Sequence, residues 1–148
     1  MRRGTVLLAA ASLIYVVAWF MPVDQDGTTL AKGGLPGWEA LQFSLSPDTT
    51  RPWWKGVLFV LSGLTNGWFL FSVAAHKVRP GISKRILFWG SLLAALINTQ
   101  WFVLSDSSGR AQLRIGYYLW FASFLLLAAA ARRTLNGSAT TPPARAAA

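Results

Sequence analysis

Asn66 and Asn98 are carboxamides set in the middle of two runs that carry no charged residue, 57–75 and 86–104. Thr65 stands beside the first, and Thr99 and Gln100 beside the second. Lipid offers an amide no partner, so such side chains hydrogen-bond across helices. At 1.5 Å per residue Asn66 lies ~15 Å from His76 and Asn98 ~20 Å from Arg85, which puts the two amides at similar depth. The spacing predicts an Asn66–Asn98 clamp between antiparallel neighbours. The alternative is a polar lining for a ligand or ion, made by Thr65, Asn66, Asn98 and Gln100.

A second group with binding chemistry follows the turn signal Gly34-Leu35-Pro36-Gly37. Residues 37–45 have the length of a short helix, with Trp38, Leu41 and Leu45 on one face and Glu39 and Gln42 off it. Trp and Tyr dominate binding hot spots. Trp38, Glu39, Leu41, Gln42, Trp53 and Trp54 are therefore the candidate surface for a protein partner. The plainer reading of Trp19, Trp38, Trp53, Trp54, Trp101, Tyr117 and Tyr118 is an aromatic belt at a membrane boundary.

Other chemistries find no support in the residues. The chain has no cysteine, which excludes disulfides, thiol catalysis and thiolate metal sites. His76 is the only histidine, so no metal centre and no cofactor is expected. Asp24-x-Asp26-Gly27 resembles the opening of a calcium loop, but the twelfth position is Leu35 instead of a glutamate. The four apolar runs contain no charged residue, and intramembrane acidic or basic groups are the usual mark of proton-coupled transport. Gly63 and Gly67 form a G-x-x-x-G pair, expected to mark a helix-packing face within the bundle or against a second copy.

The elements that must carry these residues are four apolar runs, about 5–23, 57–75, 86–104 and 115–131, each near the length of a membrane helix. The first follows Arg2-Arg3 and could pass for a leader, yet Trp19-Phe20-Met21-Pro22 lacks the small residues of a cleavage site, so an uncleaved helix is expected. Residues 24–55 form a long connection holding the short helix, and 134–148, rich in Ala, Thr and Pro, are expected to be a disordered tail.

Charge sets the orientation. Arg2, Arg3, Lys77, Arg79, Lys84, Arg85, Arg132, Arg133 and Arg145 fall at the ends and in the second connection. The remaining five basic residues share the other connections with all five acidic ones. Lys and Arg stay on the cytoplasmic side of short loops. The expectation is an all-α polytopic membrane protein, an antiparallel bundle of four transmembrane helices with both termini inside, in a bacterial cytoplasmic membrane. Its basic face would meet anionic lipid, and nucleic acid is not an expected partner.

The functional expectation is a small membrane protein without catalytic apparatus, an accessory or immunity-type protein that binds a partner through its outer loop. The alternatives are a homo-oligomeric pore or small-molecule carrier lined by Asn66 and Asn98, and an enzyme acting on a lipid-linked substrate.

Overall fold

A computed structural model describes residues 3–24, 34–46, 52–78, 82–104 and 113–139. The chain runs through α1 (Arg3–Phe20), β1 (Pro22–Asp24), β2 (Leu35–Pro36), α2 (Gly37–Leu45), α3 (Trp53–Val78), α4 (Lys84–Asn98), α5 (Gln100–Val103) and α6 (Ile115–Ala139). Three stretches are long and apolar enough to cross a membrane: Trp53–His76, Lys84–Val103 and Ile115–Leu135. The fourth apolar helix, Gly4–Phe20, is shorter.

Proline sets several of the boundaries. The first run was expected to reach residue 23, but Pro22 disfavours helical geometry at Met21, and the chain leaves α1 for an extended strand. Pro36 precedes α2 with φ −71°. Pro52 precedes α3, and its carbonyl takes the first amides, Lys55 N at 2.9 Å and Gly56 N at 3.4 Å. At the other end of the chain, α6 continues to Ala139, into the stretch expected to be disordered from Thr134. The rest of that tail lies outside the described residues.

The long helices associate as antiparallel pairs, α1 on α6, α6 on α4 and α4 on α3. Small residues allow the close approach: Ala11, Ala94, Ala95 and Ala130 sit in the core with Leu8, Tyr15, Phe69, Phe124 and Leu127. A Cβ on Gly4 would lie 3.1 Å from Thr134 Cγ2, and one on Gly116 would lie 2.7 Å from the Met21 and Pro22 carbonyls. The start of α1 therefore meets the end of α6, and its end meets the start of α6. Between α3 and α4 the Trp68 indole lies against Gly90, where an added Cβ would collide with Cζ2 of the ring. Contact between α1 and α3 is made by rings, with Tyr15 stacked on Phe69 at 3.9 Å.

Ala75, Leu87 and Ala131 cluster at one end of these helices, the end that also carries Lys84, Arg85, Arg132 and Arg133. We call it the basic end. The opposite end holds the short elements. Strands β1 and β2 pair antiparallel, Pro22 with Pro36 and Asp24 with Leu35. Gly34 enters β2 at φ 108°, a conformation side chains resist. Arg114 N donates to the Val23 carbonyl at 3.0 Å and ties the ribbon to the start of α6.

Helix α2 then bridges α1 and α3. Gly37 rests on the Ala18 and Trp19 backbone, and Leu45 and Ser44 rest on Gly63. Ala18 and Gly63 are each three residues, ~4.5 Å, beyond Tyr15 and Asn66, so α2 lies across the gap at one level. Large apolar side chains point outward from the bundle on the long helices, among them Leu13, Leu64, Leu70, Trp89, Leu93 and Leu96. A surface this apolar suits lipid, whereas a soluble monomer exposes only small apolar patches.

Candidate functional site

Two hydrogen-bonded clusters occupy the interior beneath α2. The first joins α3 to α4 and α5. Ser62 Oγ donates to Asn98 Oδ1 at 2.7 Å, and Asn98 Nδ2 donates to Thr65 Oγ1 at 3.0 Å. Thr65 Oγ1 in turn donates to the Ser62 carbonyl at 2.6 Å, and Trp101 Nε1 donates to Ser62 Oγ at 3.0 Å. The second cluster joins α3 to α1 and α6. Asn66 Oδ1 accepts from Tyr15 Oη at 2.8 Å and Trp120 Nε1 at 3.0 Å, and its Nδ2 donates to the Gly63 carbonyl at 3.0 Å.

The two amides therefore bond different partners, and the expected Asn66–Asn98 clamp does not form. Helical geometry gives the reason. Successive residues turn by about 100°, so Ser62 and Thr65 face α4 while Asn66 faces the rings of α1 and α6. Depth alone could not separate these directions.

The third run breaks at Thr99. Phe102 N donates to the Thr99 carbonyl at 2.9 Å, a bond one residue tighter than the α-helical pattern, where α4 ends at Asn98 and α5 starts at Gln100. Tyr117 Oη donates to the Asn98 carbonyl at 3.0 Å, capping the break from α6. Neighbouring side chains that satisfy freed backbone groups are what lets an apolar helix be interrupted. Gln100 Nε2 reaches the Leu58 carbonyl at 2.7 Å, while its Oε1 is buried without a hydrogen-bond partner. Phe59 stacks on Trp101 at 4.6 Å, closing this side.

The glycine pair divides. Gly63 is filled by Leu45 of α2, while a Cβ on Gly67 would meet nothing within 4 Å. The pair thus seats a connection helix at one position and leaves open space at the other.

The six residues of the expected partner surface also divide. On α2, Trp38 and Gln42 are exposed, Glu39 and Leu41 are half-buried, and Ser44 is the buried member. Phe43, which was not singled out, is 63% exposed. Trp53 and Trp54 head α3, ~15 Å along that helix from the Gly63 seat. Trp53 is 80% exposed, and Lys55 Nζ lies 5.4 Å from the Trp54 ring centre.

Sequence reasoning missed Tyr15, Ser62 and Trp120 as members of the polar clusters and left Trp101 and Tyr117 in the aromatic belt. The signal was available for Tyr15 and Trp120. Each carries a donor deep inside an apolar run, and a buried Tyr or Trp usually finds a hydrogen-bond partner. Among the described residues no group of three His, Asp or Glu side chains could hold a metal ion. No family model, no curated protein sequence and no solved structure matches the chain.

Proposed function

We propose that this chain is an integral protein of a bacterial cytoplasmic membrane, an antiparallel bundle of four spans formed by α1, α3, α4 with α5, and α6. Both termini face the cytoplasm, and the basic end lies against anionic lipid. Support for the fourth span comes from α1 running beside α6 from Thr134 to Gly116. Charge sorting supports the orientation, since Lys84, Arg85, Arg132 and Arg133 share the end opposite α2. Reporter tags placed after Arg79 and at the carboxyl end are expected to report the same, cytoplasmic compartment. Reports from opposite sides of the membrane would reject this topology.

The bundle acts without catalytic apparatus, as an accessory or immunity-type protein that binds a protein partner through α2. One contrast carries this reading. The amides of Asn66 and Asn98 are hydrogen-bonded by their neighbours, while α2, itself seated on two helices, turns Trp38, Gln42 and Phe43 outward. An exposed aromatic group on a braced helix is the form of a binding hot spot. Pull-down from membranes should recover a partner with the native chain and lose most of it with Trp38→Ala and with Glu39→Ala. Unchanged recovery in both variants would count against the α2 surface.

Self-association is a secondary proposal, resting on the open space beside Gly67. A pore lined by Thr65, Asn66, Asn98 and Gln100 finds less support, because the first three side chains are already hydrogen-bonded within the chain. Solute flux in reconstituted vesicles that falls in Asn98→Leu would reverse that ranking.

A further inference from the structure

Heights along the bundle can be counted from the Asn66 cluster. Tyr15 and Trp120 both bond Asn66, so α1, α3 and α6 share that level. Arg132, at the basic end, is twelve residues from Trp120 along α6, ~18 Å. Lys84 is ~21 Å from Asn98 along α4, and Asn98 bonds Ser62 and Thr65 just above Asn66, so the two cations stand at one height. A hydrocarbon core is ~30 Å thick, which puts its outer boundary ~12 Å beyond Asn66 when measured from those cations.

Helix α2 falls short of that boundary. Gly37 rests on Ala18, and Ser44 and Leu45 rest on Gly63. Both seats are only ~4.5 Å beyond the Asn66 level, so α2 crosses ~7.5 Å inside the boundary. Trp53, ten residues further along α3, stands about as far outside it. Helix α1 ends at Phe20, five residues past Tyr15, and so stops within the core as well.

The residues of α2 suit that depth. At about 100° per residue, Glu39 and Gln42 form one polar arc, with Trp38 and Leu45 on one side of it and Phe43 on the other. Buried Ser44 lies opposite the arc and returns its hydroxyl to the Ala40 carbonyl at 2.9 Å. Phe43 is 63% exposed, and beside the two seats Phe20 and Leu64 are exposed too, so the apolar surface of α1 and α3 continues onto α2. The ribbon leading into α2 pairs Pro22 with Pro36, two residues without an N–H to strand in lipid. An interfacial helix sinks its apolar side about 5–10 Å below the headgroups.

We propose that α2 is a bracket embedded in the outer leaflet, with Glu39 and Gln42 toward the headgroups and Trp38, Leu45 and Phe43 against lipid acyl chains. The proposal rests on the four-span topology, and it limits a protein partner of α2 to one that reaches below the headgroups.

The chain has no cysteine, so a single introduced thiol gives a spin label one address. The test places labels at Phe43→Cys, Leu64→Cys and Trp53→Cys in the full chain, reconstituted in lipid bilayers. Oxygen, which collects among acyl chains, is expected to relax the Phe43→Cys label several-fold more than a water-soluble nickel chelate does, as at Leu64→Cys. The order is expected to reverse at Trp53→Cys. Trp38→Cys repeats the measurement should Phe43→Cys fail to fold. A Phe43→Cys label as open to nickel as Trp53→Cys would place α2 in water and overturn the proposal while the topology stands. A label shielded from both reagents would mean a second copy covers α2, and would overturn the lipid contact too. An impermeant maleimide added to intact cells is expected to modify Trp53→Cys. If it reacts only after the cells are opened, the orientation and the proposal fall together.

Discussion

Gly116→Val is expected to cost about 3 kcal/mol of folding stability, the upper part of the usual range for overpacking. A Cβ at this position would stand 2.7 Å from the carbonyl oxygens of both Met21 and Pro22 and 2.9 Å from the Pro22 carbonyl carbon. These are backbone atoms of the turn out of α1, held by the β1–β2 pairing and by the bond from Arg114 N to Val23. No rotamer change can relieve them. The strand must lift off the start of α6, and the α2 segment follows it. Reversible unfolding of the purified chain in mixed micelles, followed by tryptophan fluorescence, measures the loss. Gly67→Val is the control, the same substitution at a helical position with open space. It is expected to stay within about 1 kcal/mol of native. Equal effects at both sites would mean that the contact of α6 with β1 does not govern stability.

Asn66→Leu is expected to cost about 3 kcal/mol, more than any single partner of Asn66 would. Its oxygen is the shared acceptor of Tyr15 Oη and Trp120 Nε1, so one substitution strands two donors. A stranded buried donor costs about 1–3 kcal/mol, with the lower part of that range fitting a membrane. Tyr15→Phe removes one donor and leaves Trp120 bonded, so about 0.6 kcal/mol is expected. Asn98→Leu is expected to fall between these, since its lost partners include Thr65, which keeps its bond to the Ser62 carbonyl. The double variant of Asn66 and Asn98 should be additive to within about 0.5 kcal/mol, as for sites without a shared partner. A larger coupling energy would restore the direct amide pair that the geometry denies.

What could be read from residues alone divides along a physical line. Length and apolar content showed where the helices lie, because a run without charge such as 57–75 has few alternatives to a helix. Proline shifted their ends, at Met21 and at Trp53, by local sterics that a hydropathy window does not register. The break at Thr99 was not legible. Nothing in Ile97-Asn98-Thr99-Gln100 demands it, and it is held by Tyr117, a residue from a different helix. The polar interior was half legible. Asn66, Asn98, Thr65 and Gln100 announced themselves by polarity, but their partners depend on which way α3 is rotated, and rotation is set by tertiary contacts. The aromatic partners Tyr15 and Trp120 were hidden because ring size masks a single polar atom. Gly63 was legible as a close approach and not as a seat for α2, since small size says nothing of who approaches.

The pairing of α1 with α6 has a consequence for biogenesis. Of the described helices, the one made earliest docks along the one made latest, and the others are made in between. Until α6 arrives, Ala11 and Gly4 have no mate, and α1 is held by Tyr15 on Asn66 and Phe69 and by Gly37 on its Ala18 and Trp19 backbone. Such long-range closure makes assembly slow and leaves nascent intermediates open to quality-control proteases. Chains cut short before Ile115 should therefore be cleared rather than accumulate as partial bundles.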